Sequence, residues 1–168
     1  MARRRTLRDQ RFRVSGVSHS SAVAARRRSN GSGAARSAPD GPRILLIDAG
    51  LAAGWRRAEP DLEQLDEVVD AAREIIDDVV VLGDASLKWS LPDNQQKKFE
   101  EYRATATVLC APGGTTGGHH AFLATAARAA ADNGRDVYVL SALALGEGPW
   151  RLAMLRRPEG RWSIELAE

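Results

Sequence analysis

The chain has 168 residues, 43% hydrophobic and 27% charged, which suits one domain with a single core and a tail. The formal net charge of +2 conceals a split: residues 1–42 hold ten arginines against two aspartates, whereas residues 43–168 hold fourteen basic against twenty acidic residues. One cysteine, Cys110, excludes an internal disulfide, and no apolar run reaches the roughly 18–20 residues that cross a bilayer.

The basic N-terminus also lacks the apolar stretch of a secretory signal. The expectation is a cytoplasmic protein, bacterial in its Ala and Arg richness, that does not engage a membrane. Cys110 ends an apolar run and reads as a core thiol rather than a reactive one.

Residues 1–42 contain few large apolar side chains and cannot offset their own ordering entropy, so they read as a disordered basic arm. Two arginine runs, Arg3, Arg4, Arg5 and Arg26, Arg27, Arg28, suit a polycation that grips nucleic-acid phosphates. A solvated tail is the other reading. Phe12 alone could stack on a base there, so the arm would not read sequence.

Residues 43–168 read as an α/β domain. "RILLID", 43–48, is a buried parallel strand ending in an acid, and its continuous apolar run places it at the sheet centre. Residues 60–76 form a helix capped by Asp61, with Leu62, Leu65, Val68, Val69, Ala72, Ile75 and Ile76 on one stripe. "DVVVLGD", 78–84, is a second strand ending in an acid. Residues 93–104 form a polar surface helix with Asp93 as cap, relieved only by Phe99 and Tyr102. "TATVLCAP", 105–112, is a third strand. Residues 119–134 form a helix stopped at Asn133-Gly134, and 136–142 form a fourth strand. The end, 151–167, reads as a β-hairpin. Alternating strands and helices give a three-layer, Rossmann-like parallel sheet with right-handed crossovers and helices on both faces.

In such a sheet, ligands sit at the carboxyl ends of the strands. Those ends supply Asp48, Asp84, the turn "GGTTGG" with His119 and His120, and Ser141. A buried carboxylate needs pairing, hydrogen bonds or a metal. Asp48 and Asp84 together would suit Mg²⁺ or Mn²⁺, though no cofactor is firmly implied. Their bland readings are a helix cap or Arg pair for Asp48 and an Asp-led turn for Asp84. Gly113, Gly114, Thr115 and Thr116, with Gly117 and Gly118, could turn backbone N–H groups toward a phosphate, with Ser141 beside them. The turn lacks the Lys of a phosphate-binding GxxxxGK[ST] loop and reads equally as a flexible loop. His119 and His120 are consecutive helical positions about 100° apart, so one as ligand or base is easier than both. Trp55, Trp89 and Trp150 fall in expected loops near this edge, where they could stack on bases or cover the core rim.

The order of these pieces resembles the bacterial PIN-like ribonucleases of the Regnase/NYN type, over roughly 43–166. "LLIDAG" resembles that family's opening I-D-G-x-N strand. "VVLGDASLKWSL" resembles its second strand and D-x-S-L-x-x-x-L segment. "APGGTTGGHHAFL" resembles its A-P-x-G-T turn before an Asp-Asp pair. "YVLSALAL" resembles its fourth strand, usually ending S-N-D, and "WRLAMLRRPEGRWSIEL" its closing arginine-rich hairpin. The resemblance implies a PIN-like fold in which acids bind divalent metal and activate water against an RNA phosphodiester.

Carried over residue by residue, the first acid is Asp48, but the Asn after it falls on Leu51. The Asp-Asp pair falls on His119 and His120, or on Gly118 and His119 with another gap. The final acid falls on Leu143, with Ala142 for Asn. The resemblance therefore implies a degenerate, largely non-catalytic relative with RNA as its partner. Two alternatives stand beside it. One is an active metal-dependent endoribonuclease using Asp48, Asp84 and His119 or His120. The other is a small Rossmann-like domain binding a phosphate-bearing ligand at the glycine turn.

Overall fold

A computed structural model describes residues 41–54, 59–142 and 145–168. The arginine runs at Arg3–Arg5 and Arg26–Arg28, Phe12, Trp55 and Leu143 lie outside the described residues. The elements follow in the order β1 (Arg43–Asp48), α1 (Ala49–Ala52), α2 (Leu62–Arg73), β2 (Val79–Gly83), α3 (Leu87–Ser90), α4 (Asp93–Ala104), β3 (Leu109–Cys110), α5 (Gly118–Asp132), β4 (Asp136–Leu140), β5 (Arg151–Arg156) and β6 (Ser163–Leu166).

The fold is α/β. Six strands form one sheet in the order β3-β2-β1-β4-β5-β6. All neighbours run parallel except β5 and β6, which pair antiparallel as the C-terminal hairpin. β1 lies between β2 and β4, as its apolar run requires: Leu45 and Ile47 face one side, Ile44 and Leu46 the other, and all four are buried.

Each face carries its own helices. Leu45 and Ile47 join Leu62, Leu65 and Val68 of α2, Leu87 of α3 and Phe99 of α4 in one core. Ile44 and Leu46 join Leu82, Val137, Val139 and, from α5, Leu123 and Ala127 in the other. Pro42 already belongs to the sheet's lower end, where its carbonyl accepts the Asp136 N–H.

Local chemistry departs from the expected boundaries in four places. Asp93 does not cap α4: Pro92 holds the cap position, and the Asp93 carboxylate accepts from the Gln96 side chain inside the first turn. Asp61 does cap α2, accepting from the Glu63 N–H at 2.9 Å. Ile75 is 41% exposed while Ile76 is buried, because α2 ends at Arg73 and the helical period no longer sets which side chain faces the core. The third strand shrinks from 105–112 to Leu109–Cys110. Thr105 and Val108 spend their N–H groups on Glu101 and Tyr102, closing α4, and Ala106 turns the chain at φ 58°. Trp89 sits on a short helix, α3, rather than in a loop. Among the described residues, no helix is long and apolar enough to cross a membrane.

Candidate functional site

The sheet order reverses between β1 and β4. The chain builds outward through β2 and β3 on one side, then returns through α5 on the opposite face to place β4 on the other side of β1. In open α/β sheets, the crevice beyond the carboxyl ends of two such strands is the ligand position. β1 ends there in Asp48, and Ser141 follows β4.

Asp48 and Asp136 are the buried charged residues among those described. Asp136 opens β4 at the far end of the sheet and is paired with Arg151, whose guanidinium lies 4.6 Å from the Tyr138 ring. Asp48 faces the crevice. Its Oδ1 accepts from Gly50 N–H at 2.9 Å and Leu51 N–H at 3.4 Å, so it caps α1. His119 Nε2 lies 3.2 Å from the same oxygen, and Ser141 Oγ is 3.4 Å from Oδ2. Asp48 is therefore a helix cap that also lies at the crevice.

The electrostatics follow from these contacts. Burial by itself pushes the Asp48 carboxyl up. The hydrogen bond and charge of His119, with the Leu51 and Gly50 N–H groups, overcome this and hold it below the ordinary carboxylate value. The Asp48 hydrogen bond raises the His119 pKa. Burial opposes that shift, and the charges of Asp48 and Asp84 add to it. His119 Nδ1 is buried and makes no hydrogen bond of good geometry, although the Gly83 carbonyl is close enough to favour a proton on the ring. His120 stands beside His119, the two rings meeting edge to face with centroids 5.0 Å apart. One ligand atom each from Asp48, His119 and His120 lie within 4.8 Å of one another.

Asp84 is not in that group. Its Oδ1 accepts the Ser86 N–H at 2.7 Å, which is also the main reason its carboxyl is held below the ordinary value. It acts on His119 through its charge. In the glycine turn, Thr115 N–H and Oγ1 both bond the Pro112 carbonyl, and Gly118 N–H bonds the Thr115 carbonyl. Gly114, Gly117 and Gly118 have positive φ, which delivers the chain into α5 with Gly117 at the cap position and no side-chain cap. Gly113, Gly114 and Thr116 are exposed. Cys110 is half-buried at the end of β3, where burial pushes its thiol up, in keeping with a core thiol.

Sequence reasoning missed the cavity beside the crevice. It has a volume of about 270 Å³ and lies between α1, the end of β4 and the hairpin, lined by Leu51, Gln64, Leu140, Ser141, Met154 and Trp162 among others. Trp162 Nε1 is buried without a hydrogen-bond partner. The signal was present: in "WSIEL" the two-residue strand period puts Trp162 on the face of Ile164, which is buried.

No family model, no curated protein and no solved structure matches this chain.

Proposed function

We propose that the protein binds RNA through the carboxyl edge of this sheet and does not cut it, as a degenerate relative of the PIN-like ribonucleases that its motifs resemble. One observation carries the non-catalytic half. Asp48 is the one carboxylate in the ligand cluster at the crevice, and its companions there are imidazoles rather than hard oxygen donors, among the described residues. Metal-assisted phosphodiester hydrolysis needs hard oxygen ligands to hold Mg²⁺ or Mn²⁺, lower the pKa of bound water and offset the transition-state charge. A single carboxylate with a histidine on it supplies little of that.

The RNA half rests on three features. Residues 1–42 carry the arginine excess that neutralises phosphates. Trp89 is 74% exposed on α3, just past the Asp84 turn, with Lys88 Nζ 4.8 Å from its ring, a platform on which a base can stack. Arg156, Arg157 and Arg161 are exposed on the hairpin. The charge excess of residues 43–168 is acidic, so affinity would depend on the arm and stacking on the domain.

The reading is tested by fluorescence anisotropy of a labelled single-stranded RNA with the full chain over a salt series. Binding that weakens with salt, and weakens again in Trp89→Ala, is expected. Absence of binding at low salt would overturn it.

A further inference from the structure

We propose that Asp48, His119 and His120 form a site for a first-row transition-metal ion of the Zn²⁺ class, with one coordination position left open. The inference does not rest on the RNA reading and concerns nitrogen-ligand chemistry rather than the oxygen chemistry of Mg²⁺. The ligand atoms of these residues lie within 4.8 Å of one another, on a strand end and the first turn of a helix. Imidazole nitrogen and carboxylate oxygen are the donors Zn²⁺ takes alongside thiolate, and three protein ligands with a fourth position open is its common reactive geometry.

The distances fit. Zinc–nitrogen and zinc–oxygen bonds of about 2.0–2.1 Å place two ligand atoms of a tetrahedron about 3.3–3.4 Å apart. Asp48 Oδ1 and His119 Nε2 are 3.2 Å apart, so that edge is already formed. A metal would sit off the line now occupied by the shared proton. The His120 nitrogen has to close by at most about 1.5 Å to complete the face, and its side chain is exposed and able to turn.

The supports around the ligands fit as well. Asp48 is fixed by Gly50 N–H and faces Ser141, and it ends the central strand, so the anionic ligand is preorganised. His119 Nδ1 is buried and has no hydrogen-bond partner. With Nε2 on a metal, the ring proton resides on Nδ1, where metal-bound imidazoles commonly donate to a carbonyl. The α5 dipole opposes a cation here, since both histidines lie in its first turn, but that repulsion, about 0.3–1 kcal/mol, is weak beside two imidazole bonds and a carboxylate. The open position faces the crevice, where water or a phosphate oxygen of a ligand would complete the shell.

The test is isothermal titration of the metal-free full chain with Zn²⁺ and, separately, Mg²⁺, with Co²⁺ as a visible-absorption probe of coordination geometry. One Zn²⁺ per chain, tetrahedral Co²⁺ absorption and no competition by Mg²⁺ are expected. His119→Ala and His120→Ala should each weaken Zn²⁺ by at least about tenfold, since even removing a group that only supports a ligand costs that much. His120 is exposed, so His120→Ala keeps the fold and the test. His19→Ala, a histidine outside the described residues, should change nothing. Failure to bind Zn²⁺, or binding indifferent to His119 and His120, overturns the site. RNA cleavage by the zinc-loaded protein would instead overturn the non-cutting function and leave the site standing.

Discussion

Asp48→Asn in the metal-free protein isolates what the buried pair contributes, because it removes charge while keeping shape. Asn Oδ1 can still accept from Gly50 N–H and from a neutral His119 Nε2–H, and Nδ2 would face Ser141 Oγ. What is lost is a hydrogen bond between charges, about 1.5–3 kcal/mol, in exchange for a neutral one of about 0.5–1.5 kcal/mol. Relief of the buried carboxylate's desolvation offsets part of this, leaving a net loss of about 0.5–1 kcal/mol.

The loss depends on pH. His119 is raised above its ordinary 6.5, so its contribution is full below that value and disappears as pH rises through the folded pKa. Asp48 is held below its ordinary 3.8, so its contribution is full above that value and disappears as pH falls through the folded pKa. The pair therefore stabilises most between the two ordinary values. Thermal unfolding followed by circular dichroism at about pH 5.5 should show the variant melting about 2–5 °C below wild type. At alkaline pH, above the folded His119 value, the gap should shrink. His119 in the variant, titrated by NMR, should lose protons at lower pH than in wild type. An equal gap at both pH values, or an unmoved His119 titration, would refute the reasoning.

Phe99→Ala removes a fully buried ring from the core between α4 and the sheet. It should cost about 3–5 kcal/mol, read as a fall in Tm. Trp89→Ala should leave the unfolding midpoint within about 0.5 kcal/mol of wild type yet weaken single-stranded RNA binding by about 1–3 kcal/mol, measured by anisotropy. Deleting residues 1–40 keeps Pro42 on Asp136. It should leave the unfolding midpoint unchanged and flatten the salt dependence of RNA binding by about 0.7–0.9 for each phosphate that the arm no longer neutralises.

The central strand was legible because a strand buried on both faces must be apolar at every position, as "ILLI" is. Helix α5 was legible through Asn133-Gly134, where Gly134 takes φ 76° and stops it. The third strand was misjudged because its apolar content is only half the story. It lies at the sheet edge, pairs with β2 alone through Leu82–Leu109 and Gly83–Cys110, and gives up its first residues to closing α4.

The candidate site was legible as a set of residues but not as a geometry. The sequence placed Asp48, Asp84, His119, His120 and Ser141 at one edge. It did not show that His119 turns onto Asp48 while Asp84 turns back on Ser86, because that choice depends on where α5 enters over the sheet. Nor does the roughly 100° separation of consecutive helical positions forbid two long imidazoles in a first turn from meeting, as the ring contact of His119 and His120 demonstrates.

The most direct test of the account is single-turnover cleavage of single-stranded and hairpin RNA by the purified full chain in Mg²⁺ and in Mn²⁺, run beside a binding measurement on the same RNA. The account predicts that the RNA is bound and stays intact, with Asp48→Asn indistinguishable from wild type in cleavage. Robust Mn²⁺-dependent cleavage that Asp48→Asn abolishes and His119→Ala or His120→Ala reduces would contradict it.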